Sequence, residues 1–423
     1  MHLIRSPRRP RPRSRALTLP AVLLALVLGA AACGGHDSAG GGDSPPGKGG
    51  AGTTAPTAAG PHVTVTPAAG KDVAPGTPVK VTVADGTLGT VTVTPKGKAS
   101  DGVDPVPVSG ALDQTARTWT SDRTMTPGTS YTVTVSATDA AGKQSTTTST
   151  FRTATAAKVN GVTPTPLNND VVGVGLPVSL AFDVPVTDKA AVEKALTLST
   201  TPAVKGSWGW LTDPLTGIQR VDWRPDAYWP SGTKVTLTAK LSGIDTGGGR
   251  FLRRDIHDAF SIGTARISYA DLAGHTMRVT ENGRTVKNFK ISAGSADYPT
   301  WNGKMVVMTK QSKVRMTSAS VGIATDKDAA DFYDEDVNNA VRITSSGTFV
   351  HAAPWNDRWM GVQNKSHGCI GLSDPDAKWF FDRATRGDLV IASGSARAVV
   401  DKGNGYGDWN LSADQWHALS ALA

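Results

Sequence analysis

Residues 347–373 read GTFVHAAPWNDRWMGVQNKSHGCIGLS, the densest set of reactive side chains in the 423-residue chain. The stretch carries two of the eight histidines, His351 and His367, and one of only two cysteines, Cys369. His351 closes an apolar run, Phe349-Val350, that reads as a strand and so as a rigid mount for a base. Thiol chemistry asks for a thiolate and for a group that accepts its proton. His367 stands two residues before Cys369, across Gly368, where glycine admits turn conformations closed to other residues. The same glycine lets main-chain N–H groups around Gly368 and Cys369 face a substrate oxygen.

The text on either side of this stretch is β-rich. Upstream, MRVTENGRTVKNF (277–289) reads as a hairpin turning at Asn282-Gly283, and MVVMTK and KVRMTS follow as strands. Downstream, Asp374 reads as a helix N-cap and Pro375 as the first helical residue. The helix runs through AKWFFDRAT, with Trp379, Phe380 and Ala384 as its packing face, and stops before Gly387. GDLVIAS is a closing strand. A tail from Ser395 holds a loop and a short terminal helix.

Further upstream the period changes to strict alternation. HVTVT, VKVTV, TVTVT and YTVTVSA, punctuated by Pro-Gly and Asp-Gly turns, read as short antiparallel strands of an immunoglobulin-like sandwich over 61–155. The theme repeats over 156–262. Trp119 is followed by Pro127-Gly128-Thr129 and YTVTV, and Trp223 by Pro230-Ser231-Gly232-Thr233 and KVTLTA, which points to a domain repeat. Neither half gathers titratable groups, so both read as spacers or docking modules. Residues 34–60 lack large apolar side chains and read as a tether.

The first 33 residues read as an export signal: a basic stretch ending at Arg15, an uncharged Leu/Ala/Val run, then Ala30-Ala31-Ala32-Cys33. The run is short for a membrane span. Its end resembles a bacterial lipobox, with Ala30 where Leu or Val is usual, which would put a lipid on Cys33 and anchor the protein outside the cytoplasmic membrane. Six arginines and no acid in this segment account for most of the +8 net charge. The remainder is nearly balanced, so no nucleic-acid partner is implied. With Cys33 lipidated, Cys369 is a lone thiol in an exported protein, a liability unless it is used.

The pair His351 and Ser366-His367-Gly368-Cys369 resembles the motif of YkuD-type L,D-transpeptidases, and the likeness extends over Gly263 to Ala423. Phe349-Val350-His351, Pro354-Trp355, Trp379-Phe380 and Gly407-Asp408-Trp409-Asn410 resemble actinobacterial lipoprotein members in particular. The resemblance implies a mainly β chain. Two immunoglobulin-like β-sandwich domains precede a β-rich catalytic domain at 263–394, and an extension at 395–423 packs on that domain. It implies Cys369 as nucleophile, His351 as base oriented by the Ala352 carbonyl, His367 as a second site histidine and Gly368 as backbone support. Tyr333 maps to a lid tyrosine, and Tyr333, Trp355 and Ser366 are the expected substrate-binding residues. The implied partners are peptidoglycan stem tetrapeptides, as donor and acceptor of a 3→3 cross-link, with carbapenem-type β-lactams as inhibitors; no metal or organic cofactor is needed. One departure is Gly371, where the family usually carries Asn.

Three rivals remain at this level. His351, His367 and Cys369 are too few for a structural zinc site, and no CxxC or HExxH accompanies them. A wall-binding lipoprotein with a degenerate catalytic domain would not acylate with a β-lactam. Water in place of the acceptor amine would give an L,D-carboxypeptidase. The anchor has its own test: Cys33→Ala is expected to release the protein from the membrane fraction, and retention there would refute lipidation.

Overall fold

The computed structural model of the chain describes residues 60–423. Cys33, the apolar run before it and the tether up to residue 59 lie outside the described residues.

Alternating Val and Thr build the first sandwich. In Ser130–Thr138 the residues Tyr131, Val133, Val135 and Ala137 point inward and the hydroxyls between them outward. One sheet runs Val63–Thr66, Lys80–Val83, Thr118–Ser121, Gly110–Leu112 from edge to edge; the other runs Asp72–Val73, Gln144–Thr153, Ser130–Thr138, Thr87–Lys96. The second sandwich repeats this order strand for strand. Its sheets are Val162–Thr165, Val178–Phe182, Gln219–Pro225, Gly206–Thr212, and Val171–Val172, Ile256–Ile262, Lys234–Ala239, Leu196–Thr201. Trp119 and Trp223 occupy the same third strand of equivalent sheets, and YTVTV and KVTLTA the same third strand of the others. The local signature therefore reports a repeat of architecture. Each tryptophan is buried in the core of its own sandwich. Each large apolar side chain so buried contributes about 1.5–3 kcal/mol, and these cores stand without a disulfide.

The third region packs two sheets around one core. The five-stranded sheet runs Arg284–Lys290, Thr276–Glu281, Arg266–Asp271, Leu389–Ser393, Gly303–Val306. The other runs Thr309–Thr317, Asp334–Arg342, Phe349–Ala352, Ile370–Leu372. The Asn-Gly hairpin forms where it is expected, with φ of 48° at Asn282 and 81° at Gly283. The helix spans Asp374–Arg383 and buries Ala377 and Phe380. Its N-cap is Ser373 rather than Asp374: the Ser373 hydroxyl accepts from the Asp376 N–H, which moves Asp374 and Pro375 into the first turn.

The second sandwich is no detached spacer. Its core continues without a break into Val306, Leu389 and Trp409 of the third region. Gly173 and Gly175 donate to the carbonyls of Arg386 and Gly387 at 2.8 Å each. The tail lies against both partners. Asn410 exchanges two hydrogen bonds with Lys304. On the other side the Trp409 indole N–H donates to Gly175 at 2.7 Å and that of Trp416 to Ser207 at 3.0 Å. Arg224 of the second sandwich sits over both indoles and 3.7 Å from the Asp408 carboxylate. The tail thus packs on the sandwich as well as on the catalytic region.

Burial pushes the Asp408 carboxyl from its ordinary 3.8 up to about 7; neighbouring Asp222 adds to the rise, and Arg220 and Arg224 oppose it. A carboxyl whose folded pKa is raised lends stability that is complete below pH ~4 and is lost as pH climbs through about 7. Asp408→Asn is therefore expected to flatten the fall of the melting temperature between pH 4 and 7. An unaltered slope in thermal scans would contradict this.

Candidate active site

The site begins with a register. Phe349–Ala352 and Ile370–Leu372 pair in parallel, with Val350 opposite Ile370 and His351 opposite Gly371. Parallel neighbours need a crossover, and residues 353–369 supply it. Its return leg is pinned at Ser366, whose N–H donates to the Ala293 carbonyl at 2.9 Å and whose carbonyl accepts from the Ser295 N–H at 2.8 Å. The Ser366 hydroxyl then ties the turn itself. It donates to the Cys369 carbonyl at 2.6 Å and accepts from the Gly368 N–H at 3.1 Å. Expected to bind substrate, this hydroxyl is instead engaged in shaping the turn that carries the thiol. Gly368 sits at φ 118°, and an added Cβ would find nothing nearer than 3.8 Å. The glycine answers a torsion demand rather than a lack of room.

His351, Tyr333, Trp355, Ser366, His367, Gly368 and Cys369 all line one cleft of about 970 Å³. The buried His351 ring donates from Nδ1 to the Ala352 carbonyl at 2.7 Å. A carbonyl only accepts, so Nδ1 holds the hydrogen and Nε2 keeps its lone pair. The Trp355 ring stands 6.2 Å from the imidazole, half exposed at the cleft mouth. The Cys369 thiol is directed at the Gly347 carbonyl, 3.7 Å away, and not at the imidazole. The Gly368 N–H is taken by Ser366, which removes it as an oxyanion donor. Among the described residues the Cys369 N–H has no protein acceptor.

Burial governs both reactive groups. It pushes the Cys369 thiol up to about 11, against the opposing pull of the Phe349 N–H and of Arg342. It pushes the His351 imidazole down from 6.5, against the Ala352 hydrogen bond. At neutral pH the resting pair is thiol and neutral imidazole. A resting thiolate–imidazolium pair, the alternative that motif chemistry allows, is disfavoured because both charges would sit away from water. Tyr333 is pushed up to about 12 by burial first and then by Cys369 and Glu335, so it faces the sulfur as a neutral phenol.

Several cleft residues carry no sequence signal. The His367 ring lies between Tyr298 and Tyr333, 4.9 Å from each, and its Nε2 stands 3.9 Å from Asp331. Tyr298 donates to that same aspartate at 2.8 Å. Arg397 stacks on Trp301 at 3.5 Å. Leu215, on a turn of the second sandwich, also lines the cleft. The Gly371 departure is the cross-strand partner of His351. A side chain there would meet the Ala353 Cβ at 3.0 Å and the Ser292 carbonyl at 3.1 Å.

A bacterial Ig domain model matches residues 70–245, and an L,D-transpeptidase catalytic domain model matches 265–391. L,D-transpeptidase 2 of Mycobacterium tuberculosis is 34% identical over 75% of this chain and 76% of its own length. The chain belongs to the L,D-transpeptidase family. L,D-transpeptidase 1 of Mycobacterium tuberculosis is 35% identical over 54% of this chain and 83% of its own length. A crystal structure of L,D-transpeptidase 3 from the same organism, in complex with a faropenem-derived adduct, is 34% identical, with a TM-score of 0.46 over 55% of this chain and 98% of that one. The chain is a peptidoglycan L,D-transpeptidase, with Ig-like domains ahead of its catalytic domain.

The raised thiol has a direct readout. Alkylation of this L,D-transpeptidase by iodoacetamide follows the thiolate fraction, so its rate is expected to keep rising beyond pH 9, with a midpoint near 11. A midpoint at or below 7 would show a resting thiolate instead.

Proposed function

We propose that Cys369 is the nucleophile of this L,D-transpeptidase, that His351 is its general base, and that the product is a 3→3 cross-link between stem peptides. The observation that carries the reading is the shared cleft. The Cys369 thiol and a buried imidazole with a free Nε2 lone pair border one space large enough for a peptide.

The donor is a stem tetrapeptide. As its carbonyl enters, His351 Nε2 takes the thiol proton and the sulfur attacks the carbonyl joining the third residue, a diamino acid, to the terminal D-Ala. Because the thiol is held protonated at rest, proton transfer accompanies attack rather than preceding it. The Cys369 N–H is the available donor to the developing oxyanion. The C–N bond then breaks, His351 returns the proton to the departing amine of D-Ala, and a thioester remains. The side-chain amine of a second stem attacks the thioester and gives its proton to His351, and the thiol is restored. His367 and Tyr333 form the opposite wall, where two aromatic faces and a phenol hydroxyl suit a peptide backbone. The same nucleophile would open the strained ring of a carbapenem and keep it as a thioester. Lipidation at Cys33 would hold this chemistry at the outer face of the membrane, within reach of nascent wall.

Intact-mass analysis with disaccharide-tetrapeptides and with a carbapenem tests the assignment. Cys369→Ala is expected to abolish both the cross-linked product and the covalent adduct while the melting curve holds. His351→Ala is expected to slow acylation by at least ~10²-fold, the worth of a general base. Full rate in either variant would defeat the reading.

A further inference from the structure

The carbonyl that receives the thiol hydrogen belongs to a turn, residues 343–348, that joins Asp334–Arg342 to Phe349–Ala352. The turn is partly self-tied: Ile343 donates to Thr348 at 3.0 Å, and the Thr348 N–H to the Thr344 hydroxyl at 2.9 Å. Arg342 donates to the Ser345 carbonyl at 3.0 Å and the Thr344 and Ser346 hydroxyls meet at 3.2 Å, but the side chain of Ser345 and the N–H of Ser346 take their hold from elsewhere in the chain. The buried side chain of Asn404, in the tail, accepts from the Ser345 hydroxyl and from the Ser346 N–H, both at 2.9 Å. Its amide N–H donates to the Ser346 hydroxyl, again at 2.9 Å. Both ends of this amide are thus engaged with one turn, and the next residue, Gly347, is the one that meets the sulfur.

Asn404 is itself held from behind. Arg220 of the second sandwich donates to the carbonyls on either side of it, to Gly405 at 2.6 Å and to Gly403 at 3.4 Å. Asp222, fully buried, fixes the Arg220 guanidinium at 2.7 Å. A continuous set of hydrogen bonds therefore runs from Asp222 through Arg220, the 403–405 backbone and the Asn404 amide to the Ser345–Ser346 turn. It ends at the sulfur. Asp222, Arg220 and Asn404 stand outside the cleft lining, and the path reaches the cleft only at the turn itself, where it fixes the atom to which the thiol points.

We propose that Asn404 is a positioning residue for the transpeptidation: braced by Arg220, it holds the 345–347 turn so that the Gly347 carbonyl orients the Cys369 thiol for attack. The assignment rests on Cys369 being the nucleophile. It also gives the second sandwich a task in the reaction, as the wall that braces the turn beside the thiol.

A carbonyl that accepts from S–H favours the protonated thiol. Releasing the turn should therefore make the thiol more acidic and at the same time less well aimed, a combination that plain loss of stability does not produce. The test uses the full chain with Asn404→Ala, Asn404→Asp and Cys369→Ala. The readouts are the pH midpoint of iodoacetamide alkylation, the saturating rate of carbapenem acylation and the melting curve. Asn404→Ala is expected to lower the alkylation midpoint by about half to one pH unit, the worth of one neutral hydrogen bond. It should also cut the saturating acylation rate by roughly tenfold or more. Asn404→Asp keeps the acceptor oxygen that takes both bonds from the turn, and it should recover most of the rate. Should Asn404→Ala fail to fold, Ser346→Ala removes the partner hydroxyl from the other side and is read through the alkylation midpoint alone, since Ser346 itself lines the cleft. An unshifted midpoint overturns the proposal, whether the rate stays normal or falls only in step with the melting temperature. Adduct formation on Cys369→Ala would overturn the nucleophile reading and this assignment with it. A dead Cys369→Ala beside an unaltered Asn404→Ala would overturn this assignment alone.

Discussion

The parallel pairing of Phe349–Ala352 with Ile370–Leu372 is the contact on which the chemistry depends. It converts a separation of eighteen residues into a single wall, with the imidazole at the end of one strand and the sulfur at the entrance to the next. A slip of one residue would turn His351 to the opposite face of the sheet. Register is held by the apolar alternation, in which Val350 and Ile370 face the core, and by the pinning of Ser366 to the 293–295 backbone. The crossover between the strands is tied along its length as well, Gly361 donating to the Ile291 carbonyl and Asn364 to that of Leu272.

Two opposing tendencies meet at the sulfur. The surroundings that exclude water, and so strengthen every later dipole, also oppose ionisation of the thiol and of the imidazole. Arg342 and the Phe349 N–H favour the anion; the Gly347 carbonyl favours S–H. The balance leaves a thiol that is protonated at rest. A protonated thiol is also the less readily oxidised form.

Much of this was legible in the sequence where the signal is local. The Asn-Gly hairpin, the strand ending at His351 and the repeated Trp, turn and Val/Thr strand all report nearest-neighbour physics, and they land where expected. The helix start is a near miss of one residue, since Ser373 and Asp374 are both good capping residues and only geometry chooses between them. Contacts between distant segments left no such trace. Nothing periodic links Leu215, Asn404 or Asp331 to Cys369, and nothing in the sequence marks Arg220 and Asp222 as buried. Their burial follows from how the tail and the second sandwich close on each other. For the same reason the second sandwich read as a spacer: its role lies in what it touches, not in what it contains. The protonation state of the thiol likewise depends on solvent access, which a motif does not encode.

The shared core of the second sandwich and the catalytic region has a practical consequence for how the chain can be divided. A cut at residue 263, natural by motif, would bare Val306, Leu389 and Trp409 to water and leave Asp408 without the guanidinium of Arg224. The smallest piece that keeps its apolar surface covered starts instead near residue 156. Such a piece should melt in one cooperative step, because one core runs through both of its layers.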